Sequence, residues 1–399
     1  MQPRIVLLRK NLSGQGGAEN YLHLLCRALA ARNYHILLLT DSAPSLAKNL
    51  PVEIRRPTPS LLSAMASFPY RAEIWCKKNL SDRDIVLSLD RNRFQHILRS
   101  GDGVHAAWLR VRAQAGRLTA LAALRHTPLL RAEKLAYDPR RTALIWANSH
   151  WVAQQIQQFY NFPVKRISVI HNGVDTSKWT LPQASDVQLP VTLPKGATVL
   201  LFIGSGWWRK GWDIAVRIHA EIYKTRRDVW LVGIGKPGKE HQFRVTLRQQ
   251  NVVWLGPLTT PQLLDCFAVS HLLVLPSRYD PFANVTLEAL ACGVPVLTST
   301  DNGAAEILQD APVECGVALP LSAPLSQWAA MACRLCACAN NISTRELCRK
   351  LAAKYDISSQ ISLVVNLIQS AATVPMCNFT PMHRVLTIAS KKLNDKKSV

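Results

Sequence analysis

Short apolar runs alternate with longer segments of helical spacing along the first half of the chain. An amphipathic segment, residues 18–31, separates the first two of these runs. Unbroken apolar runs are typical of strands that are buried on both faces of a parallel sheet. The predicted strands are Ile5–Leu8, His35–Leu39, Asp84–Leu89, Ala143–Ala147 and Ile167–Ile170. This pattern predicts a doubly wound α/β domain.

The same alternation returns after a segment rich in Pro and Gln, residues 180–195, which we interpret as a linker. Helices are predicted at Trp212–Lys224 and Pro261–Val269, and the pattern is helical from Pro320 onward. The predicted strands are Thr198–Gly204, Val229–Gly233, Val252–Gly256, Leu272–Ser277 and Pro295–Ser299. The fold class is therefore α/β, with two Rossmann-like doubly wound domains that face each other across a cleft.

The length of 399 residues agrees with two domains, because a single hydrophobic core rarely supports so long a chain. We place an N-terminal domain at residues 1–180 and a C-terminal domain at residues 190–355. A helical segment, residues 356–374, and a basic tail, residues 375–399, follow. Ligands of such sheets bind beyond the carboxyl ends of the strands, so the loops at those ends are where chemistry is expected.

Charge narrows the class of partner. The chain has 48 Lys and Arg against 26 Asp and Glu, a formal net charge of +22, which favours an anionic partner. Nucleic acid, an anionic membrane face and phosphorylated substrates all satisfy this condition. No apolar run reaches the length of about 18 residues that a spanning helix needs. Because the first strand follows Met1 almost directly, we expect a cytoplasmic chain.

The ten cysteines have irregular spacing and are expected to be thiols in a reducing compartment. One cluster, Cys333, Cys336 and Cys338, has metal-like spacing. It lies in an Ala-rich, helix-like stretch without a second ligand pair, which is unlike a structural zinc site. We therefore predict packed thiols and no metal.

Two loops that follow predicted strands can bind an anion. Gly16 and Gly17 stand at the start of a predicted helix, where backbone N–H groups and the helix dipole favour negative charge, although such a turn is also common in α/β proteins without a ligand. Arg209 and Lys210 lie on the turn after the strand Thr198–Gly204. Two cations at this position stabilise negative charge that develops on a departing diphosphate. The alternative is a solvated basic turn.

The segment from Asp280 to Pro295 places two carboxylates, Asp280 and Glu288, on either side of a predicted loop-to-helix junction. Main-chain N–H groups of Phe282, Ala283 and Asn284 lie at the start of that helix, where a phosphate can bind. Paired acids also occur in glycoside hydrolases. That class does not need a glycine loop and an Arg-Lys pair, so the hydrolase interpretation is disfavoured.

In the first domain, Asp102 and His105 are candidates for orienting or deprotonating an acceptor hydroxyl. Each can equally be a structural polar residue. A basic and amphipathic stretch follows, from Ala106 to Arg141, with acids only at Glu133 and Asp138. This composition is typical of a helix at an anionic membrane surface, although a solvated helix is the alternative. The proposed membrane-surface residues are Arg110, Arg112, Arg117, Arg125 and Arg131.

The motifs resemble, in order, those of the retaining GT-B glycosyltransferases, the glycosyl transferases of group 1 and family 4. The resemblance rests on Gly-Gly-Ala-Glu from Gly16, on Gly-Ser-x-x-x-Arg-Lys-Gly from Gly204, and on Leu-Glu-Ala-Leu-Ala-Cys-Gly-Val-Pro-Val from Leu287. Within the family, the chain is most similar to the lipopolysaccharide core glucosyltransferase I type. It departs from the family at Asp280, where Glu is usual, and at Ala283, where Gly is usual.

This resemblance implies a metal-independent enzyme that uses a nucleotide sugar, UDP-glucose, as co-substrate and has no other cofactor. Glu288 is then the ribose ligand, Asp280 faces the transferred sugar, and residues 282–284 hold the β-phosphate. The acceptor is a phosphorylated glycolipid at the anionic cytoplasmic face of the inner membrane. The resemblance also implies that residues 357–369 pack back on the first domain.

Two other interpretations remain open. One is a different GT-B activity, such as a capsule or exopolysaccharide glycosyltransferase or a sugar-nucleotide epimerase. The other is a nucleic-acid-binding protein, which the charge of +22 alone supports. No aromatic RNA-binding signature or helix-turn-helix pattern accompanies that charge, so no nucleic-acid partner is expected.

Overall fold

The structure, a computed structural model, describes residues 3–12, 17–42, 50–57, 67–181 and 187–371. The chain forms two compact units. The first contains the described residues of Met1–Asn148, Val152–Ile170 and Ile361–Val399, and the second contains Ser149–Trp151 and His171–Gln360. The long continuous part of the second unit therefore begins at His171, before the linker predicted at residues 180–195.

The first unit is built on a seven-stranded sheet whose paired strands are all parallel, in the order β3-β2-β1-β4-β5-β6-β7. The strands are β1 (Ile5–Leu8), β2 (Ile36–Leu39), β3 (Glu53–Arg55), β4 (Ile85–Ser88), β5 (Gln95–Ser100), β6 (Thr142–Ala147) and β7 (Ile167–Val169). All residues of β1, β2, β4 and β6 are buried, as the unbroken apolar runs predict. The edge strands β3 and β7 are only partly buried.

Among the residues that the structure describes, six helices connect or follow these strands. They are α1 (Gly17–Ala30), α2 (Phe68–Asn79), α3 (His105–Gln114), α4 (Ala120–Arg125), α5 (Thr127–Ala136) and α6 (His150–Tyr160). The basic stretch after β5 is thus divided into three short helices. Thr119 begins α4 by accepting the Ala122 N–H at 3.2 Å, and Pro128 lies in the first turn of α5, where its missing N–H costs no hydrogen bond.

The second unit contains a six-stranded parallel sheet in the order β10-β9-β8-β11-β12-β13. Its strands are β8 (Thr198–Ile203), β9 (Val229–Ile234), β10 (Val252–Trp254), β11 (Leu272–Leu275), β12 (Val296–Ser299) and β13 (Gly316–Leu319). Its helices are α7 (Trp207–Lys210), α8 (Trp212–Tyr223), α9 (His241–Thr246), α10 (Thr260–Val269), α11 (Asn284–Ala291), α12 (Leu325–Ala339) and α13 (Ile342–Ala353). A last helix, α14 (Ile357–Ala371), starts in this unit and continues in the first.

Packing of aromatic rings fixes α7 and α8 against the second sheet. Trp212 is fully buried, with its ring centroid 5.2 Å from that of Phe202 and 4.9 Å from that of Trp254. Gly211, between the two helices, has φ +81°, and a Cβ there would lie 1.9 Å from the Pro276 carbonyl oxygen. Only glycine therefore allows the turn that carries Arg209 and Lys210 to lie against the end of β11.

The α/β fold class with two Rossmann-like sheets is confirmed, and the unbroken apolar strands lie where they are predicted. Three strands are additional: β3, β5 and β13. Gly16 and the tail at residues 375–399 lie outside the described residues. Within the described part of the chain, no group of three or more His, Cys, Asp or Glu could hold a metal ion, and no helix is long and apolar enough to cross a membrane.

Candidate functional site

The loop between β11 and α11 carries Asp280 and is fixed by the loop that follows β12. The Asp280 N–H donates to the Asp301 carbonyl at 3.0 Å, and the Gly303 N–H donates to the Asp280 carbonyl at 2.8 Å. Gly303 is needed for this approach, because a Cβ there would lie 2.0 Å from the Pro281 carbonyl oxygen. The backbone at Asp280 is therefore held in place independently of its carboxylate.

The structure brings Lys210 and Asp280 together, although they are 70 positions apart in the sequence. The Lys210 ammonium forms an ion pair with Asp280 Oδ2. Arg209 Nη1 lies 3.8 Å from the same oxygen and donates to the Tyr279 carbonyl at 2.9 Å. Burial lowers the pKa of Lys210, and the negative charges of Asp280 and Glu288 partly offset this effect. Two cations and one carboxylate thus share the carboxyl edge of β8 and β11.

Arg278, which is not among the predicted site residues, connects the turn of Arg209 to the end of β11. Its backbone N–H donates to the Arg209 carbonyl at 2.8 Å, and its Nη1 donates to the Trp208 carbonyl at 2.7 Å. The guanidinium also forms a two-pronged ion pair with Asp213, at 2.7 and 2.6 Å, and lies 4.6 Å from the Trp208 ring centroid. An Arg two residues before Asp280 is the sequence signal for this contact, but it is a weak one.

Glu288 lies in the middle of α11, in an environment that opposes its ionisation. Burial raises the pKa of Glu288 to about 7, and the charges of Lys178 and Lys210 partly offset this effect. Lys178 comes from the segment after β7 and is not among the predicted site residues. The two predicted acids therefore differ. Asp280 is in contact with the Lys210 ammonium, whereas the largest effect on the pKa of Glu288 is burial.

The three N–H groups predicted to hold a phosphate are not equivalent. The Ala283 N–H donates to Asn302 Oδ1 at 3.1 Å, so it already has a protein acceptor. Asn302 Oδ1 also accepts the Ala304 N–H at 3.1 Å. Among the described residues, no hydrogen bond from the N–H of Phe282 or Asn284 to protein is recorded. Phe282 and Asn284 thus differ from Ala283, whose N–H a ligand could bind only by displacing the Asn302 side chain.

Glu306 connects three segments of this unit by hydrogen bonds. Its carboxylate accepts the N–H groups of His150 and Trp151, at 2.9 and 2.7 Å, and lies 2.8 Å from His171 Nε2. Although burial opposes ionisation, these hydrogen bonds hold the pKa of Glu306 below its ordinary value. The network therefore joins the loop after β7 to the turn that follows β12 within this unit.

In the first unit, Asp102 is exposed and His105 is the first residue of α3. The fully buried Glu133 of α5 accepts the N–H groups of His105 and Ala106, at 2.7 and 3.0 Å. Arg91 Nε also donates to Glu133, at 2.8 Å. In the sequence, Glu133 is marked only as an acid in a basic stretch. Its structural role is to satisfy the amino terminus of α3 and tie that helix to α5.

The predicted membrane-surface arginines have different surroundings. Arg110, Arg125 and Arg131 are exposed, whereas Arg112 and Arg117 are partly buried. Arg112 donates to the Arg117 carbonyl at 3.0 Å and lies 3.2 Å from His126 Nε2. Three leucines of α4 and α5 are exposed: Leu121 (68%), Leu124 (68%) and Leu129 (37%). An exposed surface with basic and apolar side chains therefore exists, and Arg112 makes internal contacts beside it.

Two segments of the chain match families of known glycosyltransferases. Residues 15–178 match the family described as Glycosyltransferase Family 4, and residues 197–341 match Glycosyl transferases group 1. The chain is 30% identical over 171 residues to D-inositol 3-phosphate glycosyltransferase 1 of Catenulispora acidiphila, covering 39% of this chain and 41% of the relative. It is also 30% identical over 156 residues to a glycogen synthase of Mycobacterium tuberculosis, covering 38% and 36%. The chain thus spans about two-fifths of the length of the curated relatives it matches.

Solved structures resemble the whole fold at low sequence identity. WaaG, a glycosyltransferase involved in lipopolysaccharide biosynthesis, superimposes with a TM-score of 0.67 at 18% identity, covering 91% of this chain and 99% of WaaG. HepE of Anabaena in complex with UDP and glucose gives 0.64 at 18% identity, covering 92% and 100%.

The two parallel sheets and their connections define the GT-B class of glycosyltransferase fold. Together with the family matches over residues 15–178 and 197–341, this fold makes the chain similar to GT-B glycosyltransferases in both of its halves.

Proposed function

We propose that this protein is a retaining hexosyltransferase that moves glucose from UDP-glucose to a phosphorylated glycolipid of the lipopolysaccharide core or a related envelope glycolipid. The second unit binds the donor and the first receives the acceptor. The observation that carries the proposal is the cluster of Arg209, Lys210 and Asp280, with Glu288 on the adjacent helix α11, at the carboxyl edge of β8 and β11. This edge is the ligand-binding edge of a doubly wound sheet.

The cluster matches the chemical needs of sugar transfer from a diphosphate. When the sugar–phosphate bond breaks, negative charge grows on the leaving oxygen, and two fixed cations stabilise that charge more in the transition state than in the ground state. Asp280 forms an ion pair with Lys210 and neutralises its charge. A bound diphosphate then competes for the ammonium, which leaves the Asp280 carboxylate able to accept hydroxyl groups of the sugar.

The donor assignment has further support. Glu288 can accept two ribose hydroxyls once it is ionised. HepE, which shares the fold, was solved in complex with UDP and glucose. Because Arg209 and Lys210 supply positive charge at the leaving group, we expect transfer to need no metal ion. Addition of a chelator should leave the rate unchanged.

The acceptor assignment rests on the first unit and on charge. WaaG acts in lipopolysaccharide biosynthesis and shares the fold over 91% of this chain. The exposed Arg110, Arg125 and Arg131, together with exposed leucines, offer a surface for the anionic cytoplasmic face of the inner membrane. Peripheral attachment at that face gives the enzyme access to a glycolipid.

The test is transfer from radiolabelled UDP-glucose, UDP-galactose and UDP-N-acetylglucosamine to lipopolysaccharide that lacks outer sugars. We expect glucose transfer with retention of the anomeric configuration, and no isomerised UDP-sugar without acceptor. Lys210→Ala and Glu288→Ala should each lower transfer by at least about 10²-fold while the circular dichroism spectrum is unchanged. Activity close to wild type in both variants would contradict the donor-site assignment.

A second candidate function is transfer to a soluble phosphorylated polyol. It is favoured by the relative named D-inositol 3-phosphate glycosyltransferase 1. The same assay distinguishes the two, because inositol phosphate in place of lipopolysaccharide then supports transfer. Salt-sensitive binding to RNA without any binding of UDP would instead support a nucleic-acid-binding protein.

A further inference from the structure

Two histidines and an arginine form a hydrogen-bonded chain through the helices that follow β5. His105 Nε2 lies 3.1 Å from His126 Nδ1, and His126 Nε2 lies 3.2 Å from Arg112 Nη1. The two imidazole centroids are 4.9 Å apart. His105 begins α3, Arg112 lies near the end of α3, and His126 joins α4 to α5. These hydrogen bonds thus link the start of α3 to its end through His126, which lies between α4 and α5.

The direction of each hydrogen bond follows from the chemistry of arginine. A guanidinium can only donate, so His126 Nε2 must accept and carries no proton. Neutral His126 then has its proton on Nδ1 and donates it to His105 Nε2. His105 Nε2 is therefore also an acceptor, and the proton of His105 lies on Nδ1. A second proton on either imidazole would place two donors face to face.

The surroundings fix this arrangement and disfavour protonation of His105. Arg112 is anchored by the Arg117 carbonyl at 3.0 Å, and the His105 backbone is anchored by Glu133 at 2.7 Å. Burial lowers the pKa of His105; among the neighbouring ionisable groups, Glu133 opposes this effect, whereas Arg91, Arg112 and the protonated form of His126 add to it. Within the described residues, no protein acceptor is recorded for His105 Nδ1, so its N–H can donate to another molecule.

We propose that Arg112 and His126 are positioning residues that hold His105 as the neutral Nδ1–H tautomer, so that this side chain donates a hydrogen bond to the acceptor substrate and does not act as its general base. The group that receives the bond is a hydroxyl or phosphate oxygen. The part that concerns the acceptor rests on the proposed function, whereas the tautomer itself does not.

Two nearly isosteric variants test the tautomer. In His126→Asn, the side-chain amide keeps a donor near the position of Nδ1, so His105 should keep its proton on Nδ1. In His126→Asp, the carboxylate only accepts, so the proton of His105 should move to Nε2 and its pKa should rise. Long-range ¹H–¹⁵N NMR spectra of protein labelled at histidine report both tautomers directly. A wild-type His105 that is protonated on Nε2 at neutral pH, or the same tautomer in both variants, would overturn the proposal.

Activity gives an independent measure. In transfer assays, His126→Asp should lower kcat/KM for the acceptor about tenfold and shift the pH profile, whereas His126→Asn should stay within about threefold of wild type. KM for the UDP-sugar should not change in either variant. Arg112→Met removes the hydrogen-bond donor to His126 Nε2 and leaves both histidines in place. Without that donor His126 can adopt either tautomer, so the NMR spectra should no longer show His105 in the Nδ1–H tautomer alone. This variant also guards against a folding defect that is specific to position 126.

The outcomes separate the two proposals. If His105 changes tautomer in His126→Asp but both variants transfer sugar at wild-type rates, the positioning role is wrong. If wild-type protein transfers no sugar from any UDP-sugar, the proposed function fails, and the NMR experiment still decides whether the tautomer is held. His241→Gln, on an exposed position of α9, is the matched control and should alter neither measurement.

Discussion

At the scale of single residues, Glu288 combines two conflicting requirements. Ionised, it can accept the hydroxyl groups of a ribose, but burial in α11 makes the charge costly and raises its pKa to about 7. Such conflicts are common at functional sites, where stability is lost in exchange for a reactive or binding group. The position of Glu288 is therefore explained better by binding than by stability.

Glu288→Gln should stabilise the free protein at alkaline pH and weaken its binding of UDP. The folded-state pKa of about 7 exceeds the ordinary value of 4.5, so the wild-type protein loses stability as pH rises between these values. Removing the charge should raise the free energy of unfolding above pH 7 by up to about 3 kcal/mol, since one pKa unit corresponds to about 1.4 kcal/mol. Urea unfolding at several pH values measures this difference.

The stability difference should shrink as pH falls toward 4.5, because the wild-type carboxyl is then protonated too. For the same reason, wild-type affinity for UDP should fall as pH drops below about 7. Glu346→Gln, at an exposed position of α13, is the control and should leave stability and UDP affinity unchanged at every pH. If the Glu288→Gln variant binds UDP as tightly as wild type, the ribose assignment is wrong.

At the scale of elements, the short helix α7 depends on a strand end for its position. Four residues cannot form a stable helix on their own. Arg278 supplies the missing support through the carbonyls of Trp208 and Arg209 and through Asp213. We therefore regard Arg278 as a positioning residue for the two cations of α7.

Arg278→Met should lower kcat by about 10²-fold, because small displacements of positioned groups have effects of that size. Arg278→Lys should recover only part of the loss, since an ammonium cannot form the two-pronged contact with Asp213. Steady-state kinetics measure both. Arg226→Met breaks an ion pair with Asp228 whose side chains are 37% and 44% exposed, and it should leave kcat unchanged. Equal kinetics in all three variants would exclude the positioning role.

The exposed surface of α3, α4 and α5 gives a separate prediction. Reversing the charge of Arg110, Arg125 and Arg131 should abolish most binding to vesicles that contain anionic lipid, because each cation near such a surface contributes about 1 kcal/mol. Cosedimentation measures the bound fraction. Reversal of Arg334, Lys350 and Lys354, exposed on or just after α12 and α13, makes the same change in net charge and should have a smaller effect. Equal losses in both triple variants would show that only net charge matters.

At the scale of the whole molecule, α14 is the element that completes the first unit. Its residues from Ile361 onward belong to that unit, where Val364 and Ile368 are almost fully buried. Their burial links the stability of the first unit to the last described residues of the chain. The same observation explains why α14 is apolar on one side.

Ile368→Ala should destabilise the first unit by about 2–5 kcal/mol, the usual cost of truncating a fully buried isoleucine. Leu363→Ala, on the same helix but 52% exposed, should change stability by less than about 0.5 kcal/mol. Differential scanning calorimetry should show a lower transition temperature only for the first variant. If the two variants melt alike, α14 does not contribute its apolar face to the core of the first unit.

The sequence by itself determined most strands of both sheets, since unbroken apolar runs such as Ile5–Leu8 and Leu272–Leu275 have few alternatives to a buried parallel strand. It also determined which charged loops lie at the carboxyl edge of a sheet, because these loops directly follow predicted strands. It did not reveal β5, whose polar residues interrupt the apolar pattern. In the structure, His96 accepts the Val86 N–H at 3.0 Å, and the Arg99 guanidinium lies 4.4 Å from the Tyr21 ring centroid.

Only the tertiary structure decided which charged groups meet. Lys210 and Asp280 are 70 positions apart, and the contacts of Arg278 with Asp213 and of Glu133 with Arg91 also join distant segments. Hydrophobic periodicity is a local signal that records burial along one element. Hydrogen bonds and ion pairs depend on the distance between side chains from different elements, which is set only when the strands pair and the helices pack.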